Sequence, residues 1–180
     1  MDTEIFPSFK ARYHDAGRVS VGSIANVLLV HWAATPLLYD VQRIRSESDG
    51  LLAAYPQGIS GIHVIEESCG IAGAEARAAT SAQIKVLGAR LGCIAVVLLG
   101  RGFWASTLQA LITSIAVFTR RETTIRFAAS TEQLAGWFLD EHYRRTEQRL
   151  SQVRIDNAVA QLIAEAHGEP SSQERPAQAS

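Results

Sequence analysis

Between Cys93 and Thr119 the sequence runs CIAVVLLGRGFWASTLQALITSIAVFT and carries one formal charge, on Arg101. Ile94 to Leu99 is an unbroken apolar run of strand length, Gly100-Arg101-Gly102 makes a corner, and 103–119 has the length of a helix. A strand that is apolar at every position must be covered on both faces, which is how strands of parallel sheets lie between helix layers. The helix is less usual. A helix lying on a sheet normally shows an apolar stripe to the sheet and charge to solvent, and 103–119 has no charged face to show. The span therefore asks for cover on every side. The nearest candidate is the amphipathic C-terminal segment 146–167, with Leu150, Val153, Ile155, Val159, Leu162 and Ile163. It would cover the helix within one chain or across a homodimer.

The rest of the chain alternates strand and helix around this unit. RVSVGSI (18–24) alternates, and NVLLVHWA (26–33) is more continuous; the short Ala25-Asn26 junction makes the two a hairpin. Thr35-Pro36 opens a helix, with Thr at the cap and Pro at the first helical position. Its apolar positions run from Leu37 to Tyr55, and Tyr55-Pro56-Gln57-Gly58 ends it. ISGIHVIE (59–66) is the next strand. An alanine-rich helix follows from Gly73 to Leu91, closed by Gly92. After the organising span come a short strand, TIRFA (124–128), and a helix with Ser130 at its cap and Gln133 three residues on. That helix runs on or breaks near Arg144-Arg145.

This order predicts an α/β domain over 18–145, with a mostly parallel five-stranded sheet, an antiparallel edge hairpin and the order ββαβαβαβα. Residues 1–17 read as an irregular lead-in, with Ala11 to His14 able to pair at a sheet edge. The polar tail 168–180 reads as disordered.

A chain of 180 residues with a net charge of −1 has one sizeable core and no field that would gather phosphates, so nucleic acid is not an expected partner. The N-terminus, MDTEIFPSFK, lacks the apolar stretch of a signal peptide. Ser106, Thr107, Gln109, Thr113 and Ser114 argue against a membrane span over 102–119. Cys69 and Cys93 are too few to staple a domain of this size. The expectation is a cytoplasmic protein.

The order of elements, a hairpin followed by βα units, resembles the STAS domains of anti-sigma-factor antagonists and sulfate-transporter tails, over about Arg18 to Tyr143. Glu66-Glu67-Ser68-Cys69-Gly70 looks like their D-S-x-G phosphorylation loop, with Glu67 where the Asp stands and Ile71-Ala72 intervening before the next helix. Val97 to Trp104, followed by an uncharged helix, is similar to bacterial STAS-like proteins grouped with lipid-transfer (CRAL-TRIO) domains. The resemblance implies a non-enzymatic regulatory or scaffolding module that binds a protein partner, with Glu67, Ser68 and Gly70 as a candidate phospho-loop. Its lipid-transfer branch implies the alternative, a carrier of a lipid or other apolar small molecule.

Other chemistry finds less support. Gly100-Arg101-Gly102-Phe103-Trp104-Ala105 matches the G-x-G-x-x-G/A dinucleotide fingerprint. However, no acid ends the following strand, and Phe103 and Trp104 would crowd a pyrophosphate, so no cofactor is expected. Arg101, Gly102, Phe103 and Trp104 are instead the expected contact residues for a partner or ligand, with Arg101 beside helix N–H groups. His31 and His63 fall on neighbouring strands, but no H-x-H or C-x-x-C companion completes a metal set, so both are expected to be half-buried sheet histidines and no metal is expected. Glu66 and Glu67, being adjacent on a strand, point to opposite faces. A small enzyme using Glu67 or Cys69 is the remaining reading, without a substrate to propose.

Overall fold

The computed structural model describes residues 8–15, 17–118 and 123–168. The elements are β1 (Lys10–Asp15), β2 (Val19–Ile24), β3 (Val27–Trp32), α1 (Leu38–Ala54), β4 (Ile59–Ile65), α2 (Ala74–Leu87), β5 (Leu91–Leu98), α3 (Gly102–Phe118), β6 (Thr124–Ala128), α4 (Thr131–Thr146) and α5 (Gln152–Ala166). They build one α/β sheet in the order β1-β2-β3-β4-β5-β6. β1 to β3 form an antiparallel meander, and β3 to β6 run parallel.

Six strands replace the expected five. The addition, β1, lies in the lead-in read as irregular and contains Ala11 to His14, the part read as able to pair at a sheet edge, which pairs with β2. KARYHD is polar or half-exposed along its length, as an edge strand can be, so it carries little apolar signal.

The topology decides where each helix goes. From β3 to β6 every connection steps to the next strand in the same direction across the sheet. Crossovers of one hand, stepping one way, place all their helices on one face. Accordingly Ile44, Leu51 and Leu52 of α1, Ile84 and Leu87 of α2, and Leu108 of α3 share a core with Leu28, Val30, Ile65, Ile94, Val96 and Leu98. The opposite face, with Leu29, Ile62, Val64, Ala95 and Val97, is left for the helices that follow the last strand. There Leu134 and Phe138 of α4 and Ile155, Ala158, Val159 and Leu162 of α5 close a second core.

This corrects the expected pairing of the C-terminal segment with helix 103–119. The two lie on opposite sides of the sheet, because α1 to α3 leave the second face to the helices that follow β6, α4 and α5. The segment also differs in extent from the expected 146–167: α4 runs to Thr146 and α5 begins at Gln152.

α3 is not hidden on every side either. Its inward line is Trp104, Leu108, Leu111 and Ile112, while Phe103, Ser106, Gln109, Ala110, Thr113 and Ser114 face out. Uncharged is not the same as apolar. Ser106 and Thr107 donate hydrogen bonds to the carbonyls of Gly102 and Phe103 at 3.2 and 2.8 Å, and Ser114 donates to that of Leu111 at 2.6 Å.

Several boundaries move by a few residues. α1 starts after Leu37 rather than Thr35, because Asp40 Oδ2 accepts the Leu37 N–H at 2.8 Å and Arg18 Nη2 at 2.7 Å. α2 stops at Gly88, which has φ 51°, so that Leu91 and Gly92 belong to β5. Gln133 Oε1 accepts from the N–H of Ala129, one residue before the expected capping partner.

α4 ends on Glu147 in the left-handed region, φ 58°, a conformation that costs a side-chain-bearing residue about 1–2 kcal/mol. Glu147→Gly should therefore stabilise the fold by about 1 kcal/mol, net of the entropy glycine adds to the unfolded chain. Urea denaturation of the two proteins measures it.

Candidate functional site

The parallel strands end together, and the loops that leave them carry most of the residues singled out from sequence. At the Gly100-Arg101-Gly102 corner, Arg101, Gly102 and Phe103 are exposed, Phe103 at 87%. Trp104 turns inward, and its indole N–H donates to the carbonyl of Cys69 at 2.9 Å. A Cβ on Gly100 would lie 2.6 Å from that indole and 2.9 Å from Glu67 Cβ. The glycine is there for the tryptophan. Trp104 thus packs against the first glycine of the dinucleotide fingerprint, whereas a Cβ on Gly102, the second, would meet nothing within 4 Å, and Phe103 faces solvent. The two aromatic residues therefore do not crowd that second glycine, contrary to the expectation from sequence.

In the loop after β4, Glu67 and Ser68 are exposed. The Ser68 hydroxyl lies 2.9 Å from the carbonyl of Ala33 and 3.2 Å from Glu66 Oε2. A Cβ on Gly70 would meet Thr35 Oγ1 at 2.2 Å, so this glycine lets the loops after β3 and β4 touch. α2 begins at Gly73 without a side-chain cap, so neither Ser68 nor Gly70 caps it.

Below these loops, between β3–β6 and the layer α1–α3, lies a cavity of about 170 Å³. Leu28, Ile44, Ile84, Leu108, Leu111 and Ile112 are among the apolar residues of its wall. It sits under the middle of α3 rather than beneath the corner. Two polar side chains on its lining matter chemically. His63 Nδ1 accepts the Trp32 indole N–H at 3.2 Å, which puts the ring proton on Nε2. Burial pushes the His63 pKa down to about 4, so at neutral pH the ring is uncharged. Among the described residues Nε2 has no acceptor. Arg77 lines the cavity near Gly70 and Ala72, bonds the carbonyl of Ala72 through Nη1 at 2.6 Å, and makes no ion pair among the described residues.

His31 and His63 do not form a pair. The β3–β4 register sets Val30 beside His63 and His31 beside Val64, so the two rings leave opposite faces. His31, fully buried rather than half-buried, meets Glu66: Nε2 lies 2.8 Å from Oε1. His167, at the end of α5, places its own Nε2 2.9 Å from the same oxygen. Burial would raise the Glu66 pKa, but the two histidines and Ser68 outweigh it and hold the carboxyl below its usual range. Burial is also the larger influence on His31, and lowers its pKa.

The remaining reactive groups are enclosed. Burial pushes the Cys69 thiol up to about 11 and the Cys93 thiol up to about 12. His142 Nδ1 lies 3.0 Å from Ser60 Oγ, a serine–histidine pair, but both residues are wholly buried and Phe138 stacks on the imidazole.

Sequence reasoning missed the roles of His63, Arg77 and His167. Trp32 at a strand end gives a faint signal for the first. Nothing local links His167 to Glu66, 101 residues away in sequence. Comparison with protein-family models, curated proteins and solved structures found no match to this chain. No helix among the described residues is long and apolar enough to cross a membrane.

Burial holds His142, like His63, at a pKa of about 4, against about 6.5 in an unfolded chain. Both are bases with lowered folded pKa values, so the unfolded chain binds more protons between those limits. Their contribution is complete above pH 6.5 and is lost as the pH falls toward 4, by up to about 3 kcal/mol for His142. Urea denaturation at pH 7 and pH 5 should show the loss, and His142→Gln should flatten it.

Proposed function

We propose that this chain is a binding protein for a small, largely apolar molecule bearing a hydrogen-bond acceptor, held in the cavity between the sheet and α1–α3. The cavity carries this reading. Its roughly 170 Å³ is comparable with an engineered apolar cavity of about 150 Å³ that takes up benzene. A guest of the size of a substituted benzene or a short branched acyl group suits it. His63 offers the polar anchor, an uncharged N–H on a half-buried ring at the cavity wall, left without an acceptor among the described residues. A guest carbonyl or carboxylate would accept from it. Arg77 adds a cation that makes no ion pair among the described residues, which favours a carboxylate head.

The enclosed thiols and the stacked His142 fit a non-enzymatic role, since none offers an activated nucleophile to a guest. The reading falls within the carrier branch of the STAS-like resemblance, which remains a proposal. Native mass spectrometry of gently purified protein tests occupancy. Aromatic and short-chain carboxylates such as benzoate and hexanoate test the class by calorimetry. His63→Phe keeps the ring volume and removes the donor, and should weaken binding about tenfold. Unchanged affinity would contradict the anchor.

A second reading rests on Phe103. A phenylalanine 87% exposed beside Arg101, with Leu99 48% exposed just before the corner, is the pairing expected of a protein contact. On this reading the chain is a regulatory or scaffolding module, with a protein partner or a second copy seated at the corner. Phe103→Ser should then abolish association seen by sedimentation or crosslinking while leaving the melting temperature unchanged.

A further inference from the structure

On the other side of the sheet from the cavity, three side chains from distant parts of the chain converge on one point. His31 comes from the end of β3, Glu66 from just beyond β4, and His167 from just beyond α5. Both imidazole Nε2 atoms approach the same oxygen, Glu66 Oε1, at 2.8 and 2.9 Å, and the three donor atoms all lie within 4.8 Å of one another. We infer that His31, Glu66 and His167 form a binding site for a divalent first-row transition ion of the zinc type.

The donor set makes the choice of ion. Two imidazoles and one carboxylate suit zinc and its neighbours, whereas magnesium and calcium take oxygen ligands throughout. Donors around a tetrahedral zinc ion sit about 3.3 Å apart, from metal–ligand lengths of about 2.0–2.2 Å. The two histidine–carboxylate contacts need open by about half an ångström, while the two imidazole nitrogens, within 4.8 Å of each other, set the remaining edge of the site.

The ligands are also graded in accessibility. His31 is fixed in the sheet with a side chain 1% exposed, Glu66 is 25% exposed, and His167 is 49% exposed. The inner ligand is therefore preorganised, and the outer one leaves a path for the ion and a coordination position for water. Ser68, bonded to Glu66 Oε2, orients the carboxylate from behind. Ion binding replaces the two Nε2–Glu66 hydrogen bonds and moves each ring proton to Nδ1. At His31 that atom is buried with no partner among the described residues, a cost that the metal–nitrogen bond has to outweigh.

Such an ion would tie the last helix to the ends of two central strands, so binding should stabilise the fold. The test uses the full chain without an affinity tag, stripped with a chelator and then titrated with zinc chloride by calorimetry and thermal denaturation. One ion per chain and a rise of several degrees in melting temperature are expected. Cobalt(II) should give the visible bands of a four- or five-coordinate nitrogen–oxygen site. His167→Ala, at an exposed position, and Glu66→Gln, of equal size, should each weaken zinc binding at least tenfold while keeping the circular dichroism of the parent. The site is refuted by absence of binding, or by binding that both variants leave unchanged. Because the cavity lies on the opposite face, loss of zinc binding leaves the carboxylate titration as a separate result.

Discussion

Handedness and strand order together dictate the architecture. Three successive crossovers that step the same way across a sheet deliver three helices to one face and none to the other. The uncovered face presents Leu29, Ile62, Val64, Ala95 and Val97, and burying such side chains contributes about 1.5–3 kcal/mol each. α4 and α5 are therefore committed to that face, whatever α3 lacks on its outer side. The choice costs α3 a covering helix. Beyond the exposed Phe103 and Gln109, its described outer face carries Ser106, Ala110, Thr113 and Ser114, of which Ser106 and Ser114 bond back to the helix's own backbone.

The same division separates the two candidate sites. The α1–α3 layer stands off the sheet far enough to leave a cavity, with His63 at its wall. The α4–α5 layer packs Phe138, Leu162 and their neighbours against the sheet, and polar chemistry is found at its margin, where the end of α5 meets the end of β4. One residue of register between His31 and His63 assigns each imidazole to its own side. Trp104 and Gly100 hold the top of the cavity layer together by joining the start of α3 to the loop after β4.

Much of the fold was legible because its signals are local. The apolar runs read at 26–33, 59–66 and 94–99, the uncharged helix, and the short strand 124–128 follow from periodicity and from glycine and proline punctuation. What was not legible depends on distant parts of the chain. β1 is polar and gains its place only by pairing with β2. The start of α1 is set by Asp40 and Arg18, 22 residues apart, rather than by the Thr-Pro signal. The choice between Gly88 and Gly92 as the end of α2 depends on where β5 joins its neighbours. For the sites the contrast is sharper. The Gly-Arg-Gly corner could be read from sequence, but the exposure of Phe103 and the hydrogen bond that turns Trp104 inward could not. A cavity is a property of how three helices rest on a sheet, and His167 reaches Glu66 only after the whole domain is built.

The placement of α5 bears on how the domain emerges during synthesis. All six strands are complete once Ala128 has left the ribosome, yet one side of the sheet waits for Ala166, 38 residues later. At ordinary translation speeds that gap lasts roughly 2–8 s. Throughout it, the face that carries Leu29, Ile62, Val64, Ala95 and Val97 lacks its full cover. The final helix acts as the latch that ends that interval.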